Sequence, residues 1–256
     1  MACDVNGDIK KLKVDRDGFL LSKSYHDEVA TGGISSLSYI EKFGRNTTVA
    51  SGAQETIWDG STLYSYAATA VITHAISANA GDTMDIEIQG LDADWALVVQ
   101  TITLTGDTQV ALTTPLIRVF RARLVGGTAS LGVISITTTG QSATYAQILV
   151  GVNQTNMAIY TIPAEKTGYL HVWYASMLRA TGTTATAADV DLYRRDFEEV
   201  FRSTQPIGIQ NTGSGQWQYR YTFPIKLPAK TDIEVRATPT ANADISAGFS
   251  VELVDD

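Results

Sequence analysis

From Thr56 to the C-terminus, apolar and polar residues alternate in short runs separated by Gly, Asn, Asp and Pro. Alternation with a period of two, broken by turn residues roughly every ten positions, is the pattern of strands in β-sandwiches and jelly-rolls. It predicts strands over 62–68, 70–77, 83–89, 94–104, 116–125, 130–138, 144–150, 155–162, 168–179, 187–196, 215–224, 231–238 and 246–254. One segment fits two periods. In "ADVDLYRRDFEEVFRSTQ", Val190 and Leu192 alternate as in a strand, while Tyr193, Phe197, Val200 and Phe201 share a helical face. The strand reading is taken at its start, because its neighbours are strands.

Residues 1–55 differ. "IKKLKVDRDGFLLS" predicts a hairpin turning at Asp17-Gly18. Ile34, Leu37, Ile40 and Phe43 recur every third position, which predicts a short helix or an extended arm ended by Gly44. With little apolar mass of its own, this stretch is expected to be an N-terminal arm that packs on a partner, and the body to fold without it. A weak boundary near Gly151–Asn156 divides the remainder. The expected organisation is therefore all-β: an arm at 1–55, a first β-sandwich unit at 56–151 and a second, jelly-roll-like unit at 152–256.

A corner recurs along the chain. "IPAEKTGYLHVWYA" begins at Ile162 and "LPAKTDIEVRATP" at Leu227, and "ISANAGDTMDIEIQG" from Ile76 is a looser copy without proline. Pro163 and Pro228 fix φ at the turn and Ala164 and Ala229 keep it compact, so the repeat predicts similar sheet-to-sheet corners.

Composition narrows the function classes. Threonine occurs 32 times and glycine 21 times among 256 residues, which fits pleated strands with frequent turns. The net charge of −8 disfavours nucleic acid as a partner. Cys3 is the single cysteine, so no intramolecular disulfide and no thiolate metal site is expected. The N-terminus lacks an apolar signal core and no apolar run approaches the length of a membrane span, so a soluble product without membrane partners, made in the cytoplasm, is expected.

Candidate chemistry is sparse. His26, His74 and His171 belong to no HExxH or triad-like signature, and neither G-x-S-x-G nor a phosphate-binding P-loop occurs. The acidic pairs Asp85/Glu87, Asp92/Asp94, Asp189/Asp191 and Glu198/Glu199 are expected on solvated faces. "DVNGD" from Asp4 and "DRDGF" from Asp15 resemble fragments of calcium loops without the closing glutamate, and read as tight turns. No catalytic, cofactor-binding or metal-ligating residue is predicted. The distinctive surface candidates are aromatic. Trp217, Tyr219, Tyr221 and Phe223 alternate in "WQYRYTF", and Tyr169, His171 and Trp173 form a second row. Exposed, Tyr169, Trp173, Trp217 and Tyr219 would form a glycan- or partner-binding surface; buried, they would be core. Tyr219, Tyr221, Val172, Ile233, Val235, Phe249 and Val251 are expected to be buried.

Several blocks resemble virion structural proteins of tailed bacteriophages: "FGRN" (43–46) with "WDG" and "TLYSYAA", then residues 90–127, 161–177 and 227–256. The resemblance covers about 200 residues in order. It implies a particle component, either a capsid decoration or cement protein or a head–tail accessory part. Implied partners are major capsid or tail proteins and further copies of the chain, with a trimer as one symmetry, in a virion assembled in the host cytoplasm. The alternative is a receptor- or glycan-binding module of a tail fibre. An enzyme such as a glycan depolymerase is disfavoured, because the sequence flags no convergent carboxylates.

Overall fold

The structure is a computed structural model that describes residues 2–3, 9–10, 24–179, 186–211 and 214–256. The chain divides into two compact units, Met1–Tyr39 and Ile40–Asp256. Strands β1 (Ala2–Cys3) and β2 (Ile9–Lys10) are followed by one helix, α1 (Tyr25–Ala30). Next come β3 (Leu37–Val49), β4 (Glu55–Thr56), β5 (Ile72–Ser77), β6 (Asp85–Leu91), β7 (Leu97–Thr103), β8 (Val110–Leu116), β9 (Arg118–Val125), β10 (Ile134–Thr137) and β11 (Thr144–Ile148). The C-terminal part contains β12 (Ile159–Thr161), β13 (Lys166–Arg179), β14 (Thr186–Arg195), β15 (Arg202–Asn211), β16 (Ser214–Leu227), β17 (Asp232–Pro239) and β18 (Ala243–Asp255). The all-β expectation holds.

In the first unit β1 and β2 pair antiparallel. Helix α1 starts at a capping box: Asp27 N donates to Ser24 Oγ at 3.1 Å, and Ser24 N donates back to the Asp27 carboxylate at 3.2 Å. The Asp17-Gly18 turn and both calcium-like fragments lie outside the described residues.

The second unit holds two sandwiches. Sheets β11-β10-β5-β8 and β7-β6-β9 enclose one core, which includes Ile72, Ile86, Ile88, Leu104, Ile134 and Ile136. Sheets β12-β17-β14-β15 and β16-β13-β18-β3 enclose the other, which includes Trp173, Val190, Ile233, Val235, Phe249 and Val251. Strands β3 and β4 correct the expectation for residues 34–55. Residues from Leu37 onward form a strand, not a helix, and Gly44 lies within it. Strand β3 adds to the sheet edge beside β18, and β4 pairs with β17. Val49 is fully buried in the second core, so cutting near residue 55 removes core and sheet edge together. Gly44 sits where a Cβ would come within 2.3 Å of both Ala158 N and Ile57 O, and only glycine admits that approach.

The remaining differences have physical causes. Strands β8 and β15 arise where no strand is predicted. Pro115 and Pro206 argue against strands there, but both strands lie at the ends of their sheets, where proline is tolerated. Residues 62–68, predicted as a strand, form an irregular connection. After β14 the chain turns at 196–201 without a helix. The two proline corners are bonded to each other: Ile162 N donates to Thr231 O at 2.9 Å and Lys230 N to Ile162 O at 2.8 Å. Each places a non-glycine residue in the left-handed region, Glu165 at φ 60 and Lys230 at φ 63.

Candidate functional site

The aromatic rows are split by irregularities. The register of β13 against both neighbours shifts between Leu170 and Val172. Such a bulge reverses which side chains face the core. Before it, Gly168 and Leu170 point inward; after it, Trp173, Ala175 and Met177 do. Tyr169 and Trp173 therefore do not share a face. Trp173 is fully buried, contrary to a ligand-facing role, and its indole N–H donates to Gln205 Oε1 at 3.2 Å. Trp217 packs on Trp173 at 4.6 Å between ring centroids, and Tyr221 donates to the same Gln205 oxygen at 2.7 Å. Burial pushes the Tyr221 phenol up to about 12. Tyr219, expected to be buried, is 41% exposed; Phe223, where β16 departs from register with β13, is 85% exposed. Val172, Ile233, Val235, Phe249 and Val251 are buried as expected.

Of the residues assigned to the arm, Ile34 and Leu37 are half-buried, Ile40 packs on the second core and Phe43 is 39% exposed. The buried positions of β3 are Lys42, Gly44, Asn46 and Val49. The Lys42 ammonium donates to the Phe120 carbonyl oxygen, and Asn46 Nδ2 donates to Glu55 at 2.7 Å.

A constellation of buried polar groups lies on β17. Ile233, Val235 and Ala237 fill the second core, while Asp232, Glu234 and Arg236 on the opposite face are also buried. Over that face runs a ladder in which rings and cations alternate: Phe197, Lys230, Trp95, Arg118, Tyr66, Arg195, Phe201, Arg236, Tyr193. Successive cation-to-centroid distances are 4.6, 5.7, 4.7, 5.0, 4.8, 4.6, 4.7 and 4.2 Å. Planar guanidinium groups stack well on rings, and each such contact contributes on the order of 0.5–2 kcal/mol. Two acids pair with three of its four cations, Arg118, Arg195 and Arg236. Asp232 accepts from Arg118 Nε at 2.8 Å and Nη2 at 3.1 Å, from Arg195 Nε at 3.1 Å and Nη2 at 2.5 Å, and from Thr161 Oγ1 at 2.6 Å. Glu234 pairs with Arg236 and accepts from Thr56 Oγ1 at 3.1 Å and Tyr66 at 3.2 Å. Burial holds the Glu234 carboxyl above its usual range despite these partners. Tyr66, Trp95 and Arg118 lie in the stretch that builds the first sandwich, and the other six in the second. The ladder fastens the two together.

At one end the ladder opens into a cleft of about 230 Å³ lined by Tyr66, Trp95, Arg118, Arg195, Phe197, Glu198, Lys230 and Asp232, among others. Three of its walls are non-glycine residues in the left-handed region: Trp95 at φ 64, Glu198 at φ 62 and Lys230 at φ 63. Such conformations persist where surrounding structure enforces them and gather at binding sites. Sequence reasoning misses this constellation because its members lie far apart in the chain. The "DIEVR" alternation gives no signal of it, because charged residues at every second position are also the pattern of a solvated strand face.

A second, smaller cavity of about 90 Å³ is lined by Arg45, Asn46, Asp59, Leu149 and Asn156, among others. Burial raises the Asp59 carboxyl to about 6, although Asn156 N donates to it at 2.6 Å and Asn156 Nδ2 at 3.4 Å. In the unfolded chain this carboxyl titrates near 3.8. Between these values the folded state holds the extra proton, so this group's contribution to stability falls as pH rises from 4 to 6. Asp59→Asn is expected to flatten that part of the stability profile, as measured by urea unfolding at pH 4, 5 and 6; an unchanged slope refutes the assignment.

Among the described residues no group of three or more His, Cys, Asp or Glu side chains is placed to hold a metal ion, and no helix is long and apolar enough to cross a membrane. No protein-family model and no curated protein matches the sequence. Among solved structures, the chain is similar to a protein of the cowpea mosaic virus empty virus-like particle, with 9% identity over 75% of this chain and 80% of that one at a TM-score of 0.24. It is also similar to the infectious bursal disease virus VP2 subviral particle, with 9% identity over 85% and 72% at 0.23. Superpositions this loose define neither topology nor role for the present chain.

Proposed function

We propose that this protein is a structural component of a bacteriophage particle, a capsid decoration or cement protein or a head–tail accessory part, acting by protein–protein assembly. One observation carries the reading: the way the side chains are allocated. The most concentrated cluster of cations, acids and aromatics among the described residues, the ladder, is bonded mainly within the chain. Large apolar side chains are left outside, with Phe223 at 85%, Val200 at 71%, Leu131 at 64% and Val99 at 56% exposure. Exposed apolar groups on a rigid β scaffold favour contacts with other proteins. In a symmetric particle each weak contact repeats, so modest patches suffice. The blocks resembling tailed-phage virion proteins support the same reading, and the net charge of −8 suits a part that must not adhere to packaged nucleic acid.

Major capsid or tail proteins are the expected partners, together with copies of the chain itself; a trimer is the first symmetry to test. A glycan-binding role draws less support, because Trp173 is enclosed and Trp217 packs against it. Mass spectrometry of washed particles should detect the chain at a fixed ratio to the major capsid protein. Phe223→Ser should lower that ratio while leaving the purified chain folded. Particles that lack the chain altogether refute the proposal.

A further inference from the structure

We infer that the cleft at the open end of the ladder is a socket for a side-chain carboxylate on an acidic segment of a neighbouring protein, an inference that rests on the assembly reading above. The charge balance of its floor motivates this. Arg118 and Arg195 share a single carboxylate, Asp232. Nε and Nη2 of Arg195 both go to Asp232, and Nη1 has no acceptor among the described residues. Lys230 has rings as its neighbours, Phe197 at 4.6 Å and Trp95 at 5.7 Å, and no carboxylate within ion-pair distance among the described residues. Of the other acids in the lining, Glu199 is paired with Arg202, which leaves Asp232 and Glu198 against Arg118, Arg195 and Lys230. One further carboxylate would balance the set, and charge-assisted hydrogen bonds are the strong ones.

The walls narrow the ligand class. Arg118 and Lys230 both lie over the Trp95 ring, so a sugar gains no stacking platform there. The volume of about 230 Å³ is below the usual range of whole-cofactor pockets and suits one side chain. Glu198 and Glu199 also line the cleft, and would repel a multiply charged phosphate more than a single carboxylate. Phe197, at 46% exposure, offers an apolar lip for the stem of a Glu side chain. The socket is also rigid. Ala164 N donates to Trp95 O at 2.9 Å and Lys230 N to Ile162 O at 2.8 Å, which fixes both left-handed residues.

Calorimetric titration of the full chain with a glutamate-rich peptide, its glutamine counterpart and polygalacturonate tests the inference. The glutamate peptide should bind and weaken with added salt, and the glutamine peptide should not bind. Lys230→Met should weaken binding about tenfold or more, and Lys230→Arg should retain it. Equal binding of both peptides, no effect of Lys230→Met, or preference for polygalacturonate overturns the inference. Peptide binding by a chain absent from particles would sink the assembly reading alone; a chain present in particles that binds no acidic peptide would sink only the socket.

Discussion

Asp232→Ala is expected to destabilise the protein by about 3–5 kcal/mol, the range for removing one partner of a buried ion pair. The side chain is 2% exposed and accepts five hydrogen bonds, four of them from two guanidinium groups. Its loss strands Arg118, itself buried, among Tyr66, Trp95 and two backbone carbonyls. Asp232→Asn preserves shape but not charge, and should fall between the wild type and the alanine variant. Adding Arg118→Met to Asp232→Ala should recover part of the loss, because it removes the uncompensated charge and leaves an apolar stem against the same rings. Urea unfolding with a common slope measures all three. A loss below about 1 kcal/mol for Asp232→Ala would mean that the ladder does not hold the sandwiches together.

The strands themselves are legible in the sequence, because alternation follows from one solvated and one buried face. Legibility fails where that premise fails. Strand β17 is buried on both sides, and its charged face carries no sign of burial: Asp232 and Glu234 have the same i, i+2 spacing as Asp85 and Glu87. Asp85 is exposed and Glu87 half-buried, while Asp232 and Glu234 are enclosed. The difference lies in what covers them, the connection bearing Tyr66 and the turn bearing Phe197 and Phe201, and no local pattern encodes that. The aromatic rows fail for another reason. Continued alternation places Tyr169 and Trp173 together, but one shifted residue at the bulge separates them. The proline corners were legible as a repeat, though not as a mutually bonded pair. That pairing puts Lys230 at φ 63 beside Trp95, so a feature that reads as architecture also shapes the cleft.

Lys42→Met is expected to stabilise the protein at neutral and acidic pH by a few kcal/mol. The ammonium is buried on β3, a cation 5.9 Å from the Phe120 ring centroid, and its hydrogen-bond acceptor is the Phe120 carbonyl oxygen. Burial, reinforced by the nearby Arg121 charge, lowers its pKa from 10.5 to about 7. Between these values the unfolded chain holds the proton and the folded chain does not. Stability therefore rises with pH from about 7 to about 10.5, and below 7 the folded state bears the full cost of a buried charge. Methionine keeps the stem and removes that cost, while losing one hydrogen bond worth about 1 kcal/mol. The two proteins should differ most below pH 7 and converge toward pH 10, as followed by urea unfolding at pH 6, 8 and 10. A difference independent of pH would show that Lys42 remains charged in the fold throughout, stabilised by a partner stronger than a carbonyl.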